Sequence, residues 1–318
     1  MNVVFIHIGI KEPDYLKDSI KQALIFNQNA NIFVATNNSK TVDNRITHIN
    51  IDDLEFPEHH IYFIKNNKMR KSRNGFWIYT IQRFFILYDI MIKYNLDNVI
   101  HLESDNMIYF SLDKLVNVFS KFNKLATTFD ADNRGIGGLI YIKNSDALYN
   151  FLKFINSRVT NPNNDMELLS LYREQTGNID NLPIIFPEYT LELKSTNGHI
   201  PKNKEHYYHK SDEFDSIFDA AAIGQYIGGC DPRNRGNTDK GFINETCIFN
   251  PSKLDIEWIP DNLDRKVPYA SYNNSKKYRI NNLHIHSKKL DDFYSCDQIP
   301  IVSKSGNTIS SNTISSNT

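Results

Sequence analysis

Residues 98–109 read NVIHLESDNMIY, and this stretch decides the fold class that the sequence predicts. The apolar run at 98–102 is typical of a buried strand. Glu103 and Asp105 follow it at positions i and i+2, so in extended backbone their side chains point to the same side. Ligand sites of open α/β sheets lie at the carboxyl ends of the strands. The two carboxylates therefore predict a site for a hard divalent cation, Mn²⁺ or Mg²⁺, that would hold a diphosphate. An acidic turn is the alternative, because Glu-Ser-Asp-Asn is also good turn and cap chemistry.

Upstream of this stretch, short apolar runs alternate with a helical pattern. Residues 3–8 and 31–36 are apolar runs that predict buried strands, and 46–51 is a candidate third strand. Apolar residues recur at helical spacing over 14–26. A strand–helix–strand order implies a parallel pair joined by a crossover. We therefore predict an α/β fold with a mostly parallel central sheet.

Downstream, helices and strands continue to alternate. Helices are predicted at 77–94, 112–122, 145–156, 165–175 and 216–227, and strands at 125–129, 135–142 and 282–286. The last residues, 304–318, repeat small polar residues with isolated isoleucines and cannot contribute to a core. We expect them to form a low-complexity, disordered tail.

Composition limits the classes of partner. Lys and Arg number 36 against 37 Asp and Glu, so no overall basic field would attract nucleic acid. No run of about 18 apolar residues predicts a transmembrane helix, and the N-terminus lacks the features of a signal peptide. The three cysteines form no CxxC pair, which favours a reducing compartment. These features predict a soluble cytoplasmic protein.

Residues 65–73 hold five basic residues in nine. We interpret this run as a solvated loop. The alternative is a contact with an anionic acceptor or with a membrane surface, so peripheral membrane contact stays open.

A second polar cluster lies near the end of the chain, in NNLHIHSKKLDDF at 281–293. His284 and His286 share one face of the predicted strand, and Lys288 and Lys289 follow at once. Imidazole is a suitable third ligand for Mn²⁺, and lysine supplies a point charge for phosphate. Two such histidines beside a lysine pair favour a role at the same site as the acidic strand end.

The order of these elements resembles that of GT-A glycosyltransferases, which carry a DxD motif after a central strand and a late metal-binding His with a following Lys. The resemblance covers about residues 1–290 and implies a three-layer, Rossmann-like GT-A fold. It implies one domain at 1–303, with a nucleotide-binding half at 1–110 and a donor-sugar and acceptor half at 111–303. The implied activity is that of a metal-dependent hexosyltransferase, which moves a sugar from a nucleotide-diphosphate sugar to a hydroxyl of a glycan or polysaccharide.

The resemblance also implies site residues. Glu103 and Asp105 match the DxD positions, with Glu in place of the first Asp. His286, nearer the strand end, is the expected third metal ligand, with His284 as the alternative, and Lys288 or Lys289 would contact phosphate. The nucleotide sugar would further contact His7, Gly9, Asn37, Arg83, Ser104, Asp130, Gly137 and Gly138. Arg83 is equally well explained as a solvated helix charge.

Asp165 and Asp219 are the candidate catalytic carboxylates. An inverting transferase needs a general base near the acceptor hydroxyl, and a retaining one uses a different arrangement. For both residues the alternative is a structural role or a helix N-cap.

Three other functions stay open. A sugar-nucleotide pyrophosphorylase would share the metal carboxylates, but it would carry a glycine-rich loop after the first strand, where HIGIKEPDY has a single glycine. A metal-dependent hydrolase would use the same acidic and histidine residues without a nucleoside pocket. An inactive carbohydrate-binding protein would need neither carboxylate.

Overall fold

The fold is known from a computed structural model, which describes residues 1–37, 44–69, 75–161, 163–231 and 239–299. The predicted tail at 304–318 and part of the basic run at 65–73 lie outside these residues. The described strands are β1 (Asn2–His7), β2 (Asn31–Thr36), β3 (Ile46–Asn50), β4 (Val99–Leu102), β5 (Asn106–Ile108), β6 (Leu125–Ala131), β7 (Arg134–Ile142), β8 (Ile179–Asn181), β9 (Ser216–Ile217), β10 (Asp255–Pro260), β11 (Lys266–Ser271), β12 (Tyr278–Ile280) and β13 (Asn282–His284). The described α-helices are α1 (Leu16–Phe26), α2 (Glu58–Asn66), α3 (Phe76–Tyr94), α4 (Leu112–Phe119), α5 (Ser145–Ser157), α6 (Asp165–Thr176), α7 (Ser211–Phe214) and α8 (Ile223–Gly228).

A seven-stranded sheet in the order β3-β2-β1-β4-β7-β6-β8 forms the centre of the molecule. Strands β3, β2, β1 and β4 are parallel, β8 is parallel to β6, and β7 is antiparallel to both of its neighbours. The prediction of an α/β fold with a mostly parallel central sheet is confirmed.

Helices cover both faces of this sheet. In β1, Val4 contributes to the apolar core that α3 and α5 share with one face, whereas Phe5 contributes to the core under α1 and α4. Both faces of a mostly parallel sheet must be buried in this way, because alternate side chains of each strand point to opposite sides. The molecule therefore has the three layers that the sequence analysis expected.

Two smaller sheets complete the structure, and the shorter one positions the site. One has the order β10-β11-β12-β9, and the other pairs β13 with β5 in antiparallel orientation. In the β13–β5 pair, His284 lies opposite Asn106. Since β5 begins directly after Asp105, this pairing brings the late histidine segment to the carboxyl end of β4.

Two predicted elements differ from the structure. The helix expected at 216–227 is wrong in its first half, where Ser216–Ile217 forms β9 against β12 and only Ile223–Gly228 is helical. Ala221 adopts a φ of 55°, which interrupts the segment before the helix begins. The strand expected at 282–286 ends at His284.

Within the described ranges, no helix combines the length and the apolar character that crossing a bilayer requires.

Candidate active site

Three segments meet beyond the carboxyl end of β4. Glu103 and Asp105 come from the turn between β4 and β5, and His284 comes from the last position of β13. The His284 Nε2 atom lies 3.1 Å from a Glu103 carboxylate oxygen and 3.1 Å from an Asp105 carboxylate oxygen. His284 and Asp105 are buried. The structure thus joins the two clusters that the sequence analysis singled out, although they are far apart along the chain.

Two cations border this cluster. Arg83, buried on α3, contacts Glu103 through Nη1, and its Nη2 lies 2.9 Å from Asp165 Oδ2. The Lys288 ammonium contacts Asp105. Arg83 is therefore not a solvated helix charge, since its guanidinium is buried between two carboxylates. Glu103 and Asp105 thus each contact the imidazole of His284 and one side-chain cation, and Asp165 joins the cluster through Arg83.

Charge controls the ionisation of these groups. Burial by itself would raise the pKa of Asp105, but the Lys288 ammonium and the His284 imidazole hold that pKa well below its usual value. Burial would lower the pKa of Lys288, and the Asp105 carboxylate reverses the effect and raises it. At neutral pH both side chains carry their charges.

The backbone at Lys288 has an unusual conformation. Its φ of 64° lies in the left-handed region, which residues with a side chain rarely adopt. Lys289 is exposed. Of the two predicted phosphate-binding lysines, the structure brings Lys288 to the carboxylates.

His286 lies beside His284, with the ring centroids 4.5 Å apart. Donor atoms of Asp105, His284 and His286 all lie within 4.8 Å of one another, an arrangement that could hold a metal ion. His286 Nδ1 is 2.7 Å from the Gln225 side-chain amide. Burial and the neighbouring His284 lower the pKa of His286 to about 3, so its ring is neutral and keeps a lone pair.

His284 alone of the two contacts both carboxylates, whereas His286 shares with His284 and Asp105 the arrangement that could hold a metal ion, so His286 as the third ligand, with His284 as the alternative, stays a prediction. Carboxylate oxygens and imidazole nitrogens are both ligands of divalent cations, so the donor set fits such a cation.

Both carboxylate oxygens of Asp219, a predicted catalytic residue, accept hydrogen bonds from backbone N–H groups. Its Oδ1 accepts from the backbone N–H groups of Ala222 and Ile223 at 2.8 and 2.9 Å. Its Oδ2 accepts from those of Gly224 and His284 at 2.8 and 2.9 Å. Burial raises the pKa of the carboxyl group, and these N–H donors partly offset the rise. Asp219 therefore caps α8 and ties it to β13, as the structural alternative to a catalytic role would have it, and the catalytic role stays a prediction.

Asp165, the other predicted catalytic residue, is the first residue of α6 and is buried. Its carboxylate accepts a hydrogen bond from Arg83, which also contacts Glu103, and this shared arginine links Asp165 to the site. The structure places Asp165 at the site's margin.

The glycines of β7 leave room for the cluster. A Cβ atom on Gly137 would lie 2.5 Å from Arg83 Nη2, and one on Gly138 would lie 2.7 Å from His284 Nδ1. Real Cβ atoms essentially never come this close to another atom, so larger residues would displace both side chains. The room left by these glycines is taken up by the protein's own side chains, and the predicted close approach to a donor sugar stays a prediction.

Asp130 lies on β6 and is completely buried. One oxygen is 3.3 Å from Arg134 and 3.2 Å from the Asn244 amide, and the other has no hydrogen-bond partner among the described residues. Burial raises the pKa of Asp130 to about 6, although Arg134 lowers it in part. The carboxylate is thus only half satisfied, and its partners belong to β7 and to the segment before Cys247.

The predicted nucleoside contacts cluster at the ends of β1 and β2. The Gly9 N–H donates to Asn37 Oδ1 at 3.0 Å, and the Asn37 amide donates to Asp52 at 2.7 Å. His7 Nε2 lies 3.0 Å from the Lys11 carbonyl oxygen. The structure brings these three predicted residues together, and Asp52 joins them.

Ser104 contributes through its backbone, because its carbonyl accepts from Ser19 Oγ at 2.7 Å and this bond fastens the turn to α1.

Sequence reasoning missed two buried amides at the site. Asn106 packs close to Gly138 and His284, and its Oδ1 accepts from the Asn282 amide at 3.0 Å. Gln225 contacts His286. Asn106 stood directly after the acidic motif in the sequence, which was a signal of its position. Gln225 had none, because its contact depends on how α8 packs against β13 and the residues that follow it.

Comparisons with known proteins give matches at the level of structure only. No protein-family model and no curated protein matches the sequence. Among solved structures, the PaToxG glycosyltransferase matches with 14% identity over 55% of this chain and 70% of that chain, with a TM-score of 0.37. Mouse xyloside xylosyltransferase 1 matches with 10% identity over 57% and 84%, with a TM-score of 0.37. The galactosyltransferase LgtC matches with 14% identity over 59% and 76%, with a TM-score of 0.35.

Proposed function

We propose that this chain is a metal-dependent glycosyltransferase that moves a sugar from a nucleotide-diphosphate sugar to a hydroxyl of a carbohydrate acceptor. One observation carries the proposal. His284 Nε2 lies 3.1 Å from both Glu103 and Asp105 at the carboxyl end of a central strand, with Lys288 and Arg83 alongside. Carboxylate and imidazole ligands suit a divalent cation, and the flanking cations suit phosphate oxygens. Stabilising a departing diphosphate needs both.

In this proposal Glu103, Asp105 and His284 hold the cation, and His286 is a further ligand or supports the first histidine. A bound Mn²⁺ would offset the negative charge that develops on the leaving diphosphate. Lys288 and Arg83 lie where they can contact phosphate oxygens, and the exposed Lys289 is a weaker candidate for the same contact.

The nucleoside and the sugar would lie on either side of this centre. His7, Gly9 and Asn37 would line the nucleoside pocket at the ends of β1 and β2, and the turn at Ser104 would form its floor. The donor sugar would lie on the side of Gly137, Gly138 and Asp130. We place the whole site in one domain at 1–303, with 1–110 as the nucleotide half and 111–303 as the donor-sugar and acceptor half.

The reaction exchanges one bond at the anomeric carbon. The acceptor hydroxyl oxygen forms a bond to that carbon, the bond from the carbon to the diphosphate oxygen breaks, and the nucleoside diphosphate leaves with the electron pair. The hydroxyl proton passes to a base. Asp165, a carboxylate at the site's margin, is the better candidate for this base, because the Asp219 carboxylate already accepts four backbone N–H bonds. A cytoplasmic location also stays a prediction.

The first test is the melting temperature of the protein with nucleoside diphosphates and nucleotide sugars, each with and without Mn²⁺. A ligand at about 100 times its dissociation constant stabilises the folded state by roughly 2.7 kcal/mol, which a thermal scan detects. We expect one nucleotide series to stabilise the protein only when Mn²⁺ is present.

Two results would contradict the proposal. Stabilisation by Mn²⁺ alone, with no further effect of any nucleotide, would favour a metal-dependent hydrolase. The absence of any shift would favour an inactive carbohydrate-binding protein.

A further inference from the structure

The outer faces of α2 and of the start of α3 carry exposed apolar side chains. Ile61 is 39% exposed, Tyr62 47%, Phe76 48% and Tyr79 46%. These four make up nearly half of the large hydrophobic residues that are exposed in the described chain, yet they fall within 61–79. Single exposed apolar residues are normal on a protein surface, whereas a cluster indicates an interaction site.

Packing brings the last turn of α2, with Lys65, to the start of α3, where Phe76 and Tyr79 lie, and Ile61 and Tyr62 are one turn before Lys65 on α2. Near the start of α2, His60 Nδ1 lies 2.8 Å from Asp89, in the C-terminal half of α3. Beyond the end of α2, Met69 lines a small cavity together with Ile81. The two helices therefore run antiparallel, so the last turn of α2 lies beside the first turns of α3. Phe76 begins α3 at this end.

The same end of the helix pair is positively charged. Lys65 and Lys68 are exposed, and no ion pair involving either is found among the described residues. The sequence contains no Asp or Glu from 59 to 88. Within the described part of this range the remaining cation is Arg83, whose charge is directed inward to Glu103 and Asp165. We define the α2–α3 surface as Ile61, Tyr62, Lys65, Lys68, Phe76 and Tyr79.

We propose that the α2–α3 surface docks on an anionic lipid bilayer. Aromatic rings with a polar atom, such as Tyr62 and Tyr79, favour the level of the lipid headgroups, and Phe76 and Ile61 gain by leaving water. Lysines near the bilayer are attracted to its negative surface potential within about one Debye length. The combination of apolar side chains with positive charge matches an anionic interface better than it matches an uncharged protein partner.

The position of this surface would direct the site toward the bilayer. Phe76, Tyr79 and Arg83 are spaced i, i+3 and i+7, so they share one face of α3. This face leads from the exposed aromatic residues to the buried guanidinium beside Glu103. Docking does not depend on the proposed function, but it would place an acceptor held at a membrane next to the active site.

The test is co-sedimentation of the full chain with phosphatidylcholine vesicles that contain or lack phosphatidylglycerol. We expect binding that requires phosphatidylglycerol and weakens as salt rises. Neutralising one lysine near an anionic surface costs roughly a fivefold loss of binding, so Lys65→Gln/Lys68→Gln should bind about 25-fold more weakly. Phe76→Ser/Tyr79→Ser should also bind more weakly, but with an unchanged dependence on salt.

Matched controls lie elsewhere on the molecule. Lys17→Gln/Lys114→Gln removes two exposed lysines from α1 and α4, on the opposite face of the sheet, and Leu191→Ser removes an exposed leucine. Both should bind like the unmodified protein, and a thermal scan checks that every variant is folded. Absence of vesicle binding, or equal losses in the patch and control variants, would overturn the proposal. So would a patch variant that binds vesicles normally but has a raised KM for a soluble acidic glycan.

Discussion

Asp105 and Asp219 are two buried carboxylates that both bind His284, and they do so in different ways. Asp105 lies 3.1 Å from the imidazole Nε2 and also contacts the Lys288 ammonium. Asp219 accepts the His284 backbone N–H at 2.9 Å, together with three backbone N–H groups at the start of α8. One carboxylate thus has only side-chain partners, and the other has only backbone partners.

This difference distinguishes Asp219, whose bonds hold the fold together, from Asp105, whose contacts can be given up to a ligand. Backbone N–H groups cannot move away without unfolding a helix end or a strand, so the bonds of Asp219 hold the segment in place. Side chains can rotate toward a ligand, so the contacts of Asp105 can be exchanged for a metal ion and phosphate. Two residues of the same type at the same histidine therefore have roles that burial alone does not distinguish.

The largest effect on stability is expected from Asp219→Ala. Four N–H groups would lose their acceptor, and a buried donor without a partner costs about 1–3 kcal/mol. Allowing for relaxation, we expect the free energy of unfolding to fall by about 4 kcal/mol, which urea denaturation would measure. Asp219→Asn retains one acceptor oxygen and should lose less. A stable Asp219→Ala protein with strongly reduced turnover would restore the catalytic role that the sequence suggested.

Asp105→Ala should have the opposite effect to Asp219→Ala, with a large loss of turnover and a smaller change in stability. Loss of a metal ligand removes several kcal/mol of transition-state stabilisation, so we expect metal-dependent turnover to fall on the order of a thousandfold. The free energy of unfolding should fall less than in Asp219→Ala, because the Lys288 side chain is partly exposed and can be hydrated. Turnover is measured with the donor identified by thermal scanning. Full activity in this variant would remove Glu103 and Asp105 from the proposed metal site.

The sequence was sufficient for the fold class, and it singled out most of the residues that the structure brings together beyond β4. Apolar runs with helical patterns between them indicated a parallel α/β sheet, because local periodicity is set by which face is buried. The acidic motif after β4 and the late histidines were found because their residue types are unusual at strand ends. Gly137 and Gly138 were selected as positions of close approach, and a Cβ atom on either would collide with a site side chain.

Roles that depend on long-range pairing could not be predicted. The sequence left Asp219 open between a catalytic base and a helix N-cap, because it does not show that the His284 N–H, far along the chain, also donates to its carboxylate. His286 was preferred because it lies nearer the expected strand end, but β13 ends at His284, where the Ile285 N–H donates to the Asp105 carbonyl at 2.9 Å. Alternation of side chains holds only within a strand, so the sequence pattern could not show which of the two neighbouring histidine rings contacts the carboxylates.

Asp130 is a third buried carboxylate, and only one of its two oxygens has a hydrogen-bond partner among the described residues. Its pKa is raised from 3.8 to about 6 by burial. Below pH 3.8 the carboxyl group is protonated in both the folded and the unfolded protein. Between pH 3.8 and about pH 6, this carboxyl group loses its proton in the unfolded chain but keeps it in the folded protein. The free energy of unfolding therefore falls as pH rises through this range, by up to about 3 kcal/mol in all.

Asp130→Asn cannot ionise and should escape this loss. We expect its free energy of unfolding, measured relative to the unmodified protein, to rise by up to about 3 kcal/mol from roughly pH 3.5 to pH 7.5. Urea titrations at several pH values would measure the difference. A difference that does not change with pH would mean that the Asp130 carboxylate is not held in a desolvated environment.

The smallest expected effect distinguishes the two histidines. His284 contacts both carboxylates, whereas His286 is held by Gln225. A direct ligand should matter more than a neighbour, whose loss typically lowers metal affinity 10–100-fold. We expect Mn²⁺ affinity to fall about a hundredfold in His284→Ala and about tenfold in His286→Ala. Titration of Mn²⁺ followed by electron paramagnetic resonance reports binding without turnover.

Gln225→Leu separates ligation from support in this measurement. If the amide only orients the His286 ring, its removal should lower Mn²⁺ affinity no more than His286→Ala does, and the double variant should show no further loss. A larger loss in His286→Ala than in His284→Ala would reverse the order of ligands. The contacts of His284 Nε2 with Glu103 and Asp105 would then describe a metal-free arrangement that rearranges when the cation binds, and the residue that the sequence favoured would be the third ligand.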